Sequence, residues 1–261
     1  MPGTKPHTAY EQPLNERIRI LLRLEFLFQQ ALQGLNGDSE WHSRAVVASL
    51  LDIISVLSAR GDIRAELIRE LDRIVLCFDR LADSPEVDQA RLEPLLEEAR
   101  QLAEQLKAAR GLPAAALKRD ELLSSVLQRA GIPGGACGFD LPAYQFWLQR
   151  PAEERRAQLE AWLQQLEDLR RGNALILRVL RESAEPVRLT APKGVYQRTP
   201  DKKAPQAQLI RVLLPANSPY FAEISGSKYF FTIRFMQQHS TSERPAQTGE
   251  DVEFLLCSCG F

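Results

Sequence analysis

The sequence predicts an α+β fold, with an N-terminal all-helical domain followed by a small antiparallel β-strand domain. Two observations carry this. From Leu14 to about Arg181, apolar residues recur at spacings of three, four and seven, the pattern of helices with one buried face. After Glu185-Pro186 the texture changes to short β-branched and aromatic runs bounded by Pro, Gly, Asn and Ser. The expected boundaries are a flexible tail at 1–12, a helical domain at 13–185 and a strand domain at 186–261.

Each element has its local signal. Leu14, Ile18, Leu21, Phe28, Leu32 and Leu35 form the stripe of the first helix, with Arg19 and Arg23 one turn apart on another face and Gly34 and Gly37 ending it. A second helix runs from about Trp41 to Ala59, stopped by Gly61. A third starts at Asp62, a natural N-cap, and continues to Leu81. Pro85 and Asp88 open a fourth, which extends to Ala109. Further helices are expected at about 114–129, 141–148 and 152–181, the last bent near Gly172. Between them lies the glycine-rich stretch from Ile132 to Pro142, a connector in which glycine supplies positive φ and Asp140 is placed to begin the next helix. It lacks a preceding strand and the spacing of a phosphate-binding loop. Candidate strands are 187–191, 194–198, 208–214, 228–236 and 252–259. In the fourth, alternation puts Lys228, Phe230, Thr232 and Arg234 on one face and Tyr229, Phe231, Ile233 and Phe235 on the other, the core side. Residues 199–207, with Lys202 and Lys203, and 239–250 are loops.

Composition narrows the function classes. With 44% apolar and 26% charged residues over 261 positions, the chain has the balance of a globular protein. Its start lacks a signal-peptide h-region, and the apolar run 45–57 is broken by Ser49, Asp52 and Ser55, so no membrane span is expected. Cys77, Cys137, Cys257 and Cys259 read as reduced thiols. Only one close cysteine pair and three scattered histidines, His7, His42 and His239, argue against a metal site. No G-x-S-x-G or H-E-x-x-H occurs, and adjacent carboxylates such as Glu97 and Glu98 diverge around their helix, so no catalytic residue, metal or cofactor is expected. A net charge of −1 hides an asymmetry: between 187 and 234 there are eight Lys and Arg against two acids. That basic face suits an acidic peptide or, as an alternative, a nucleic acid.

Several separate motifs place the chain further. Glu11-Gln12-Pro13-Leu14-Asn15-Glu16-Arg17, Arg23-Leu24-Glu25-Phe26, the run from Arg60 to Leu67, Glu70-Leu71-Asp72-Arg73, Ile132-Pro133-Gly134-Gly135, Phe139-Asp140-Leu141-Pro142, Ile224-Ser225-Gly226 and Ile233-Arg234-Phe235-Met236 occur in register. Together they resemble the ZapD cell-division family from about residue 10 to the C-terminus. The resemblance implies a cytoplasmic, non-enzymatic homodimer at the mid-cell division site. Such a protein binds the tubulin-like FtsZ through its C-terminal tail, bundles FtsZ filaments and stabilises the Z-ring. Membrane and nucleic acid are not among its implied partners. Carried over by motif, the family's basic positions fall on Arg60, Arg234, Lys228 and Arg23, the candidate partner-binding residues. Phe230 stands where some members have a further arginine. Arg60 and Arg234 are expected to lie in one basic groove with Lys228 nearby.

Overall fold

The structure, a computed structural model, describes residues 7–59, 62–80, 88–111, 114–198, 206–227 and 229–261. Nine α-helices and eight strands lie among these residues. They are β1 (His7–Pro13), α1 (Glu16–Gly34), α2 (Glu40–Ala59), α3 (Ile63–Asp79), α4 (Gln89–Ala108), α5 (Ala115–Lys118), α6 (Glu121–Arg129), α7 (Pro142–Leu148), α8 (Ala152–Gln164) and α9 (Glu167–Glu182), then β2 (Val187–Ala191), β3 (Val195–Arg198), β4 (Leu209–Pro215), β5 (Phe221–Ser227), β6 (Phe230–Gln237), β7 (Ala246–Gln247) and β8 (Val252–Cys259). The α+β class read from the sequence is the class observed. The expected helix stop at Gly61, the opening at Pro85 and the loop carrying Lys202 and Lys203 lie outside the described residues. The chain divides into two compact units: one joins the chain up to Arg19 with Leu177–Phe261, and the other is Ile20–Ile176.

In the first unit, two antiparallel sheets enclose a core. One sheet has the order β1-β4-β8-β2, the other β3-β6-β5 with β7 beside β6. Alternation decides what faces inward: Ile210, Val212 and Leu214 of β4 and Val252, Phe254 and Leu256 of β8 share the core with Phe231, Ile233 and Phe235 of β6. Phe254 anchors it, with Phe235 at 5.0 Å between ring centroids and Tyr196 edge-on at 5.5 Å. On the other face of the first sheet, Leu209, Cys257 and Cys259 are also buried. Both thiols are free. Burial pushes the Cys257 thiol up and carries that of Cys259 to about 12, so neither has thiolate character near neutral pH.

The start of the chain departs from the expected tail, because residues 7–13 form β1, paired along its length with β4. The sequence HTAYEQP conceals this, since only Tyr10 packs against the core and there is no apolar alternation to mark a strand. What fixes the strand is Glu11, which lies opposite Arg211 in register. Arg211 Nε donates to Glu11 Oε1 at 2.7 Å, and Arg181 of α9 donates Nε and Nη2 to the two oxygens at 2.9 Å each. The next residues complete the motif. Leu14 N–H donates to Gln208 O at 2.8 Å, Asn15 Oδ1 caps α1 by accepting from Ile18 N–H at 2.9 Å, and Arg17 Nη2 donates to Gln208 Oε1 at 3.1 Å.

The second unit is helical. α1 buries Ile20, Leu21, Leu24, Leu27, Phe28 and Ala31, whereas Leu32, expected on its stripe, is exposed. At 100° per residue Leu32 shares the side of the buried Leu21 and Phe28, as the stripe predicts, but it lies near the C-terminal end of α1, where it lines an open pocket with Leu35 and Asn36. By length and composition α2 is apolar enough to cross a membrane. Here its Val46, Val47, Leu50, Ile53 and Ile54 are buried in the protein. Asp62 caps α3 as expected, accepting from Ala65 N–H, and Asp88 caps α4. The single helix expected at 114–129 is two, because Asp120 interrupts it as the N-cap of α6, accepting from Leu123 N–H at 3.1 Å and from Trp162 Nε1 at 3.0 Å. The stretch expected to bend near Gly172 instead breaks between α8 and α9, at residues 165–166. Gly172 is a close approach: a Cβ there would stand 3.4 Å from Leu106.

The glycine-rich stretch is a connector, as expected, but Asp140 is not the cap of α7. It accepts from Arg129 Nη1 at 3.0 Å, and the capping position is Leu141, ahead of Pro142. Gly134 has φ +73°, and a Cβ on Gly135 would meet Arg129 O at 2.7 Å. Arg44 of α2 holds the turn from outside, donating to Ala136 O at 2.9 Å and Gln145 Oε1 at 3.2 Å.

These contacts make two carboxylates testable. Burial alone would push the Glu11 carboxyl up, but the hydrogen bonds and charges of Arg181 and Arg211 outweigh it and hold the group below 4.5. A depressed carboxylate stabilises the fold fully above its unfolded value and ceases to do so as pH falls through the folded one. Glu11→Gln is therefore expected to cost about 1–3 kcal/mol at pH 7, with the difference from wild type vanishing in thermal melts taken well below pH 4.5. Asp120→Ala, which removes a cap and the acceptor of a buried indole, is expected to cost about 1–3 kcal/mol by urea denaturation, and Asp120→Asn to cost less.

Candidate partner-binding surface

Sheet geometry displays Arg234. On β6 it alternates with Ile233 and Phe235, which are fully buried, so its side chain stands on the outer face of the second sheet and is exposed. Its register neighbours are Val195 on β3 and Glu223 on β5. Glu223 is exposed on the same face, yet the two make no ion pair, and Arg234 has no hydrogen bond or ion pair among the described residues. Phe230, two pairs along the face, is 44% exposed, while Thr232 between them is buried. The face thus offers a guanidinium, an aromatic ring and the hydroxyls of Ser225 and Ser227, a set that suits a carboxylate-bearing chain with an apolar residue.

One expectation on this strand is corrected. Alternation from Lys228 puts Tyr229 on the core side, but it is 66% exposed. β6 begins only at Phe230, so Tyr229 belongs to the turn before it, where the two-residue period does not apply.

Arg23 sits on α1, on the side away from the buried face, and is exposed. Arg19, one turn earlier, is engaged by Glu16 at 3.3 Å, whereas Arg23 has no ion pair or hydrogen bond among the described residues. Arg60 and Lys228, the other two candidates, lie outside the described residues, and so does the expected groove in so far as it rests on them. Arg23 and Arg234 belong to different compact units.

A further surface of the helical unit was not singled out by sequence reasoning. Trp41, Phe139 and Phe146 are largely exposed. The Arg44 guanidinium lies 5.4 Å over Trp41 and 5.2 Å over Tyr144, and that of Arg150 lies 5.7 Å over Phe146. The helical spacings of Trp41 to Arg44 and Phe146 to Arg150, three and four residues, are the signal that was available.

Comparison with known proteins agrees with these motifs. A family described as "ZapD: Cell division protein" matches residues 22–234. The chain is 45% identical over 255 residues to Cell division protein ZapD of Methylococcus capsulatus, covering 98% of this chain and 99% of the relative. It is 38% identical over 253 residues to that of Chromobacterium violaceum, with 97% and 99% covered, and 37% identical over 255 residues to that of Aromatoleum aromaticum, with 98% of each. With matches of this extent, the chain belongs to the ZapD family of cell division proteins.

Proposed function

We propose that this protein is a non-enzymatic crosslinker of FtsZ filaments. It acts in the cytoplasm at the mid-cell division site, binding the acidic FtsZ C-terminal tail and bundling filaments into a stable Z-ring. The observation that carries the reading is Arg234, an exposed arginine with no ionic partner among the described residues, beside an exposed phenylalanine and within a basic stretch of a ZapD-family chain. Arg23 has the same unengaged character on the helical unit. Arg60 and Lys228 join the proposed site on the family motifs that they match. A homodimer offers two tail sites, and two sites on one particle convert tail binding into filament crosslinking.

An exposed ion pair is worth only about 0–1 kcal/mol, but an arginine gripping a carboxylate in a partly desolvated setting is worth about 2–5 kcal/mol when removed. Arg234→Glu and Arg60→Glu are therefore expected to weaken binding of an FtsZ tail peptide at least tenfold, about 1.4 kcal/mol or more, and to abolish bundling in co-sedimentation with polymerised FtsZ. Thermal stability of the Arg234→Glu variant should stay within about 0.5 kcal/mol of wild type, since Arg234 is exposed. Wild-type binding should fall as salt rises, because charge is screened over about 8–10 Å near physiological ionic strength. Normal tail binding by well-folded Glu variants would remove these residues from the site.

The exposed rings of Tyr229 and Phe230 favour a second reading, a nucleic-acid-binding adaptor that stacks bases on the same face. A labelled oligonucleotide titrated at the same salt as the tail peptide separates the two. Oligonucleotide binding with no FtsZ pelleting would replace the crosslinker reading.

A further inference from the structure

Strand register orders the outward side of the second sheet into rows. Glu223 of β5, Arg234 of β6 and Val195 of β3 form one row. The rows on either side carry no charge: Phe221 pairs with Met236, and Ser225 with Thr232. Successive rows are about 6.5–7 Å apart, two residues along a strand. The outward positions paired in β3, β5 and β6 therefore hold one cation and one anion, and these stand directly opposite each other. Counted along the chain, the stretch 187–234 has eight Lys and Arg against two acids, yet one of those two acids is Glu223. Opposed side chains on adjacent strands start about 4.5–5.5 Å apart at Cβ. Glu223 is exposed, and among the described residues it makes no ion pair or hydrogen bond, with Arg234 or with any other group. Its carboxylate belongs to the surface and supports nothing in the fold.

We infer that Glu223 is the specificity-determining residue of this face: it admits a segment that carries one carboxylate among apolar side chains, and it rejects a chain of closely spaced anions. Given the FtsZ-tail reading, on which this rests, the two classes of ligand meet the row differently. A lone carboxylate can approach Arg234 from the side of Val195, away from Glu223. An apolar side chain two positions along an extended segment then falls on the row of Met236, and one four positions along in the other direction falls on Phe230. A nucleic-acid strand carries a negative charge on every nucleotide, so a phosphate bound to Arg234 brings its neighbours under the field of Glu223. Non-specific nucleic-acid binding draws its strength from phosphates neutralised by surplus cations, and a row whose two charges cancel supplies no surplus. The exposed Phe230 offers a base a ring to stack on, but the backbone of that base has no net positive charge to follow. Discrimination here comes from a repulsive group set beside the attractive one. Because Glu223 stays in water, keeping it unpaired costs the fold little.

The test is fluorescence anisotropy of the full chain at low salt, with an FtsZ tail peptide and with a labelled single-stranded oligonucleotide. In Glu223→Gln, the ratio of peptide affinity to oligonucleotide affinity is expected to fall by about threefold or more, through tighter oligonucleotide binding. The salt dependence of oligonucleotide binding should steepen by about 0.7 in the slope of log affinity against log salt, the increment for one further phosphate neutralised. Glu223→Asp, which keeps the charge, should keep the wild-type ratio, and Arg234→Gln added to Glu223→Gln should remove the gain. Thermal melts of the exposed-site variants check that each is folded. A smaller change in the ratio, no measurable oligonucleotide binding by Glu223→Gln, an Asp variant that behaves like the Gln variant, or a gain that survives Arg234→Gln would each overturn the inference. If the tail peptide binds and the ratio does not move, the FtsZ reading stands and Glu223 has no part in specificity. If Glu223→Gln gains the oligonucleotide as stated while no form binds the tail peptide, the role of Glu223 against polyanions stands and the FtsZ reading falls.

Discussion

The closure of Arg181 and Arg211 on Glu11 ties three distant parts of the chain into one unit. Glu11 comes from the first strand, Arg181 from the end of the last helix and Arg211 from the centre of a sheet. Backbone pairing attaches β1 to β4, but a polar edge strand with a single residue in the core has little other than this carboxylate to hold its register. The register in turn positions the start of α1. Pro13 ends the strand, Leu14 donates to Gln208, and Asn15 caps the helix. The motif from Glu11 to Arg17 is thus a joint in which a clasp, a strand end and a helix cap succeed one another within seven residues.

The same interaction bears on the electrostatics of the surface. Counted along the sequence, the stretch from Val187 to Arg234 is strongly basic, yet Arg211 is committed to Glu11, and Arg188 lies 3.8 Å from Glu253. In the helical unit, Arg155 is buried on Ser43 and the Asp38 carbonyl, and Arg44 is spent on the glycine-rich turn. An arginine whose guanidinium is already engaged inside the fold has little left for a partner. Arg23 and Arg234 differ from these in having no such contact among the described residues, a distinction that residue counts do not contain. Glu223, opposite Arg234, moderates the local potential, so an acidic ligand gains most if it also uses the neighbouring aromatic surface.

The sequence by itself determined the class of fold, the position of the change from helix to strand, and most element ends, because these depend on local periodicity and capping. The caps at Asp62 and Asp88 and the alternation of Phe231, Ile233 and Phe235 are examples. Its motifs also carried the family. Tertiary structure alone decided matters that depend on residues far apart in the chain. β1 exists because Arg181 and Arg211 meet Glu11 across 170 and 200 positions, and Asp120 is fixed as a cap partly by Trp162, 42 residues away. Asp140 is drawn from its capping role by Arg129. Of the candidate site, the residue types were legible, but which of them remain unengaged was not. Engagement is a property of the partners that folding brings near, and no local pattern encodes those.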